Sequence, residues 1–187
     1  WIAGQTGQGG ASVAVGYNAG SNFQGLYSVA IGLSAGADSQ GNETVAIGNG
    51  AGGISQGQSA TAIGSAAGYD NQGTGTVAIG ARAGNYNQRN YAIAIGDGAG
   101  FIGQEINGIA IGQEAGFFNQ QTQAIAMGFQ AGNTGQQRNA IAIGYRSGYD
   151  NQGTRAVAIG REAGFTGQGT QAVAMGYRAG HNKQGPG

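Results

Sequence analysis

The chain of 187 residues has no cysteine, one proline, one histidine and only 9% charged residues. Without cysteine there can be no disulfide framework and no thiolate metal site, and the redox compartment cannot be read. With one histidine, His181, zinc coordination is also disfavoured. A formal net charge of zero argues against a nucleic-acid binder, whose affinity depends on neutralising phosphates. The lone Pro186 and the lack of a Gly-X-Y period exclude collagen despite 42 glycines. No apolar run reaches the ~20 residues of a membrane helix, so no membrane insertion is expected in this segment. The chain starts at Trp1-Ile2-Ala3-Gly4 without an initiator methionine or signal-peptide pattern, and ends inside a repeat at Gly185-Pro186-Gly187. It reads as a single repeat domain over 1–187, a segment of a longer fibre protein.

What is present is a repeat. A tetrapeptide of the form Val/Ile-Ala-Ile-Gly recurs at every sixteenth position, its glycines running from Gly16 to Gly176 in eleven copies, with Thr61 in the first place once and Val15, Met127 or Met175 in the third. A second glycine follows four positions on and a glutamine eight positions on: Gln24, Gln40, Gln56, Gln72, Gln88, Gln104, Gln120, Gln136, Gln152, Gln168 and Gln184. A fixed period of this size marks a solenoid with one repeat per rung. Large β-branched residues alternating with small ones predict a strand at each tetrapeptide, Val and Ile on one face, Ala and Gly on the other. The Asn, Asp, Thr, Ser and Gly after the second glycine, as in Tyr69-Asp70-Asn71-Gln72-Gly73, read as a turn. A second short strand is expected near Gln-Gly-x-x. Glycine at this density disfavours any helix. The expected fold is all-β, a parallel β-solenoid or β-roll, with rungs about 4.8 Å apart and the glutamines stacked in an amide ladder.

A roll filled with alanine and glycine buries too little apolar surface to offset the ordering of every residue in the rung. Packing Val/Ile faces from several rolls around an axis would supply the remainder. Val29, Ile31, Val45, Ile47, Ile93, Ile95, Ile109, Ile111, Ile141 and Ile143 are therefore candidate core or interface residues, and a homo-oligomer, most simply a trimer, is expected.

Sites for small-molecule chemistry are scarce. Gly48-Asn49-Gly50-Ala51-Gly52-Gly53 fits a dinucleotide fingerprint, but the next element predicted is a strand, not the helix whose N-terminus would hold the pyrophosphate. Asp38, Asp70 and Asp150 share a column but lie in separate rungs, so no calcium cluster forms. No nucleophile, base and orienting group converge. The chain is read as no enzyme, with no catalytic residue, cofactor or metal. The sequon Asn42-Glu43-Thr44 would matter only in a eukaryotic secretory system. The aromatic residues after the second glycine, Tyr69, Phe101, Phe117, Tyr149 and Phe165, are candidate surface contacts, suited to stacking on sugars or anchoring a partner; Tyr17, Phe129, Tyr145 and Tyr177 follow the first glycine. Charge is uneven along the axis. Residues 1–81 hold Asp38, Glu43 and Asp70 and no base, or −3. Residues 133–187 hold six bases against Asp150 and Glu162, or +4.

Ser28-Val29-Ala30-Ile31-Gly32, Thr44-Val45-Ala46-Ile47-Gly48 and Ala156-Val157-Ala158-Ile159-Gly160 resemble the head repeats of trimeric autotransporter adhesins, and similar repeats occur in phage and virus fibres. The resemblance implies a left-handed trimeric β-roll and display at a cell or virion surface. The constant period departs from the shorter one usual in adhesin heads, and the Ala-Gly-x-x-x-Gln continuation is not theirs. The function expected is an extracellular fibre module, a rigid rod whose turns attach to a glycan or host-surface protein. The alternatives are a plain shaft of a phage, virus or other filament and, more weakly, an ice-binding solenoid built on the interrupted threonine column of Thr74, Thr122, Thr154 and Thr170.

Overall fold

The computed structural model describes residues 3–187; Trp1 and Ile2, read above as part of a repeat, lie outside the described residues. Every tetrapeptide forms a three-residue strand. In chain order these are β1 (Val13–Val15), β3 (Val29–Ile31), β5 (Val45–Ile47), β7 (Thr61–Ile63), β9 (Val77–Ile79), β10 (Ile93–Ile95), β11 (Ile109–Ile111), β12 (Ile125–Met127), β13 (Ile141–Ile143), β14 (Val157–Ile159) and β15 (Val173–Met175). They stack in that order as one parallel sheet of eleven strands. The register is fixed by the period: Ile93 pairs with Ile109, Ala94 with Ala110 and Ile95 with Ile111. No helix occurs among the described residues.

The second sheet lies elsewhere than expected. Its strands, β2 (Asn22–Gln24), β4 (Asp38–Gln40), β6 (Ile54–Gln56) and β8 (Asp70–Gln72), end on the glutamine instead of starting there. From Asp70 onward the same line continues as single parallel bridges through Tyr86, Ile102, Phe118, Thr134, Asp150, Thr166 and Asn182. The polar stretch read as a turn is thus the second strand. The two turns are Gly-to-Gly after the tetrapeptide and the segment after the glutamine. Composition misled because Asn and Asp here face outward and need no apolar partner.

The interior is small. Apart from Ala14 and Ala179 near the ends, the alanines of the tetrapeptide and those ahead of the second glycine are buried, the longest cluster running from Ala51 to Ala142 and including Ala62, Ala67, Ala78, Ala83, Ala94 and Ala99. Gln88, Gln104, Gln120, Gln136 and Gln152 are the large side chains buried with them, each 0% exposed. Val and Ile of the tetrapeptides point outward.

The turns are bonded rung to rung like the strands. In the rung of Gly112, Ile109, Gly116, Phe118 and Gln121 donate their N–H groups to the following rung. Gly112, Glu114, Asn119 and Gln123 donate theirs to the preceding one. Glu114 (φ 55), Asn119 (φ 55) and Gln123 (φ 59) reach that orientation through left-handed backbone. Such a residue costs about 1–2 kcal/mol, and a hydrogen-bonded corner on both sides keeps it in place. Gly112, at φ 123, has a further constraint: a Cβ there would sit 2.6 Å from the carbonyl oxygen of Gly128. The same conflict with the next rung's glycine carbonyl recurs along this column from Gly16 to Gly160.

Candidate attachment surface

Three columns of the rung bear on function: the glutamine inside, the Val/Ile stripe on one face, and the turn that follows the stripe.

The glutamine spans the roll. Gln120 Nε2 donates to the carbonyls of Ile109 (2.7 Å) and Ala124 (3.1 Å), and to Gln136 Oε1 of the next rung (3.1 Å). Links of this last kind join Gln72, Gln88, Gln104, Gln120, Gln136, Gln152, Gln168 and Gln184 without a break. Nearer the N-terminus only Gln40 bonds to Gln56, and the buried Oε1 atoms of Gln24, Gln40 and Gln72 have no partner. The second glycine of each rung exists to admit this side chain: a Cβ on Gly116 would stand 2.9 Å from the Gln120 carboxamide carbon.

On the outer face, Ile31 (38%), Ile79 (36%) and Ile143 (37%) are exposed. Val29, Val45, Ile47, Ile93, Ile95, Ile109, Ile111 and Ile141 are half-buried, shielded only by their rung neighbours. The result is an apolar stripe along eleven strands that this chain does not cover.

The turn carries the aromatic column. Tyr69, Phe101, Phe117, Tyr149 and Phe165 are all half-buried. Rings one rung apart stack: Phe101 on Phe117 at 4.8 Å, Tyr149 on Phe165 at 5.1 Å, and Phe165 on His181 at 4.9 Å. The column is broken twice by asparagine. Asn85 and Asn133 are 4% and 7% exposed, and their amides fold inward onto the carbonyls of Ala66 and Glu114. Sequence reasoning passed over Tyr86 and Phe118, one position further on. Tyr86 stands edge-on to both Tyr69 (6.5 Å, 77°) and Phe101 (5.9 Å, 80°), and Phe118 edge-on to Phe117 (4.5 Å, 88°). Their adjacency to the aromatic column was the signal that could have found them.

The column after the first glycine builds a second ladder. Phe129 stacks on Tyr145 at 5.3 Å, and Arg161 lies over Tyr145 (5.3 Å) and Tyr177 (5.9 Å). Arg146 covers Tyr149 at 5.2 Å. Such contacts contribute about 0.5–1 kcal/mol each where exposed. Glu162 takes a 2.7 Å hydrogen bond from Arg178 Nε, with Arg161 at 3.7 Å and His181 at 3.6 Å. The Arg178 hydrogen bond holds the Glu162 carboxyl below its ordinary value of 4.5; its partial burial opposes this, and the charges of Arg178, Arg161 and His181 reinforce it. Among the described residues no group of three or more His, Cys, Asp or Glu side chains is placed to hold a metal ion. The dinucleotide-like Gly48–Gly53 leads into β6, a strand, so it has no helix terminus to offer a pyrophosphate. No helix among the described residues is long and apolar enough to cross a membrane.

This architecture is that of a parallel β-solenoid with one repeat per rung. The family model of the YadA head domain repeat matches the chain twice, over residues 8–35 and 24–51. The second match begins one rung after the first, as the sixteen-residue period of this chain requires. The resemblance to the heads of trimeric autotransporter adhesins thus holds at the level of both repeat and fold. No curated protein and no solved structure matches the chain.

Proposed function

We propose that the protein is a passive, rigid display module of an extracellular fibre, three copies packed through their Val/Ile stripes and presenting their turns to a surface or partner. One observation carries this reading: the outer surface divides into a stripe that is apolar in all but one position, Thr61, and chemically varied turn columns. The stripe suits self-association, because an uncovered apolar face of this length is unusual on a monomer. The YadA-type repeat supports the same reading, since the heads of that family are trimeric. The turns suit recognition, because a plain spacer has no use for columns of tyrosine, phenylalanine and arginine. Display at a cell or virion surface follows from the same role, and no step of it calls for a catalytic residue.

The test has two arms. Light scattering should find three chains per particle, and Ile95→Asp with Ile111→Asp should disassemble it, because each places three unpaired carboxylates near one axis. Replacing Phe101, Phe117, Tyr149 and Phe165 by Ser should leave the assembly intact and abolish attachment to cells. A stable folded monomer would remove the trimer. A quadruple variant that attaches like the parent would leave only the shaft role.

A further inference from the structure

We propose that the cavity of about 400 Å³ lined by Ala66, Tyr69, Arg82, Asn85, Tyr86 and Phe101 binds a neutral hexopyranose, presented by a glycan. The inference rests on the reading that the turns make the contacts, and names what one of them takes.

The cavity comes from the first break in the aromatic column. Neighbouring rungs put Phe101 and Phe117 rings 4.8 Å apart, face to face. Tyr69 and Phe101 are two rungs apart, on the order of 9.6 Å of backbone rise, and Asn85 between them folds its amide down onto the Ala66 carbonyl. Two rungs of rise without a ring from Asn85 leave room beside Tyr86. Tyr86, perpendicular to both walls, closes one side. The apolar C–H face of a pyranose packs on aromatic rings. The volume is at the low end of the ~300–1,000 Å³ of small-molecule sites, which suits one sugar ring and its linkage.

The rim sets the charge of the ligand. Arg82 is paired with Asp97, a neighbour just outside the lining, at 3.2 Å, so the lip offers donors and acceptors with no net charge. Hydroxyl groups donate and accept and match such a pair. A carboxylated or sulfated sugar finds its cation already neutralised. A quaternary ammonium, which three aromatic rings would otherwise suit, has no hydroxyl groups to engage this ion pair. An aromatic side chain of a partner protein would fill the gap and leave Arg82 and Asp97 unused. The mouth is open because Ala66 and Gly98 flank Arg82 in their column. The second break, at Asn133, differs: Gln130 and Arg146 stand in that column, bonded to each other at 2.7 Å, and Arg146 stacks on Tyr149.

Saturation-transfer NMR on the full chain tests the proposal, with the methyl glycosides of glucose, galactose, mannose and N-acetylglucosamine as probes. Methyl glucuronide, tetramethylammonium and a phenylalanine-containing peptide are the competing occupants. Tyr86→Thr should weaken the best neutral glycoside about tenfold, the upper end of what one aromatic contact contributes. Thr occupies the same column at Thr134 and Thr166, so this variant keeps a residue the rung accepts. Arg82→Gln, with Gln130 as its precedent, should weaken it as well. Absence of transfer to every neutral glycoside overturns the proposal, as does stronger transfer to glucuronide, ammonium or peptide, or a normally melting Tyr86→Thr protein that binds like the parent. If cell attachment is lost in the quadruple aromatic variant while no neutral glycoside binds, the ligand assignment fails and the display role stands. If that variant attaches normally, the display role itself fails.

Discussion

Gln120→Met isolates the contribution of the amide ladder. Methionine has nearly the volume of glutamine and fills irregular space well, so the substitution removes polar bonds with little cavity. Gln120 is fully buried and makes four hydrogen bonds: to the Ile109 and Ala124 carbonyls, to Gln136 Oε1, and from Gln104 Nε2 at 3.0 Å. The Ala124 carbonyl keeps its backbone partner, the Ile109 N–H at 2.9 Å, and Gln104 Nε2 keeps its bonds to the Ile93 and Gly108 carbonyls. With two N–H groups shared among three acceptors, the two carbonyl bonds of Gln120 count together at about 1–2 kcal/mol. Gln136 Oε1 fares worse. Its hydrogen bond comes from Gln120, and losing it strands a buried acceptor at about 1–3 kcal/mol. The sum is about 2–5 kcal/mol, or a fall in melting temperature of roughly 4–20 °C for a chain of this size. Gln24→Met is the control within the same protein. Gln24 Oε1 has no partner, so methionine removes that burden along with the bonds to Val13 and Ser28. The two effects nearly cancel, leaving about 1 kcal/mol or less. Thermal melts followed by far-UV circular dichroism compare the pair. If Gln120→Met costs under about 1 kcal/mol, or no more than Gln24→Met, the ladder is a by-product of repetition and does not stabilise the roll.

Gly112→Ala should destabilise by more than about 3 kcal/mol, because torsional strain of about 1–3 kcal/mol adds to a Cβ placed 2.6 Å from Gly128 O. Gly176→Ala, at φ 110 with nothing within 4 Å of the added carbon, should show the strain alone; equal costs in denaturant titrations would refute the steric account. The depressed Glu162 carboxyl makes the Arg178 corner acid-sensitive. A carboxyl whose folded value lies below 4.5 stabilises fully above that pH and loses its contribution as pH falls through the lower folded value. An NMR titration of Glu162 should therefore place its midpoint under 4.5 and shift it upward in Arg178→Gln; an unchanged midpoint would sink the assignment.

The constant spacing alone determined that the fold is a parallel solenoid, and in what register. Once identical residues recur at one interval, stacking them in line satisfies backbone bonds and packing together, so Ile93 had to meet Ile109. Tertiary structure decided what local pattern cannot express. Alternation divides Val/Ile from Ala but is symmetric with respect to inside and outside. The close approach of the two sheets breaks the tie: the interior admits alanine and an extended glutamine, and sends isoleucine outward. Asp70–Gln72 reads as a turn by composition and is a strand, because it pairs with the strand Ile54–Gln56 of the preceding rung. The left-handed residues Glu114, Asn119 and Gln123 escape any propensity rule, since their backbone is held by hydrogen bonds from neighbouring rungs. The aromatic column was legible residue by residue. The cavity was not, because it is made by the absence of a ring at Asn85 and by Tyr86 crossing from the next column, and only coordinates bring those two facts to one place.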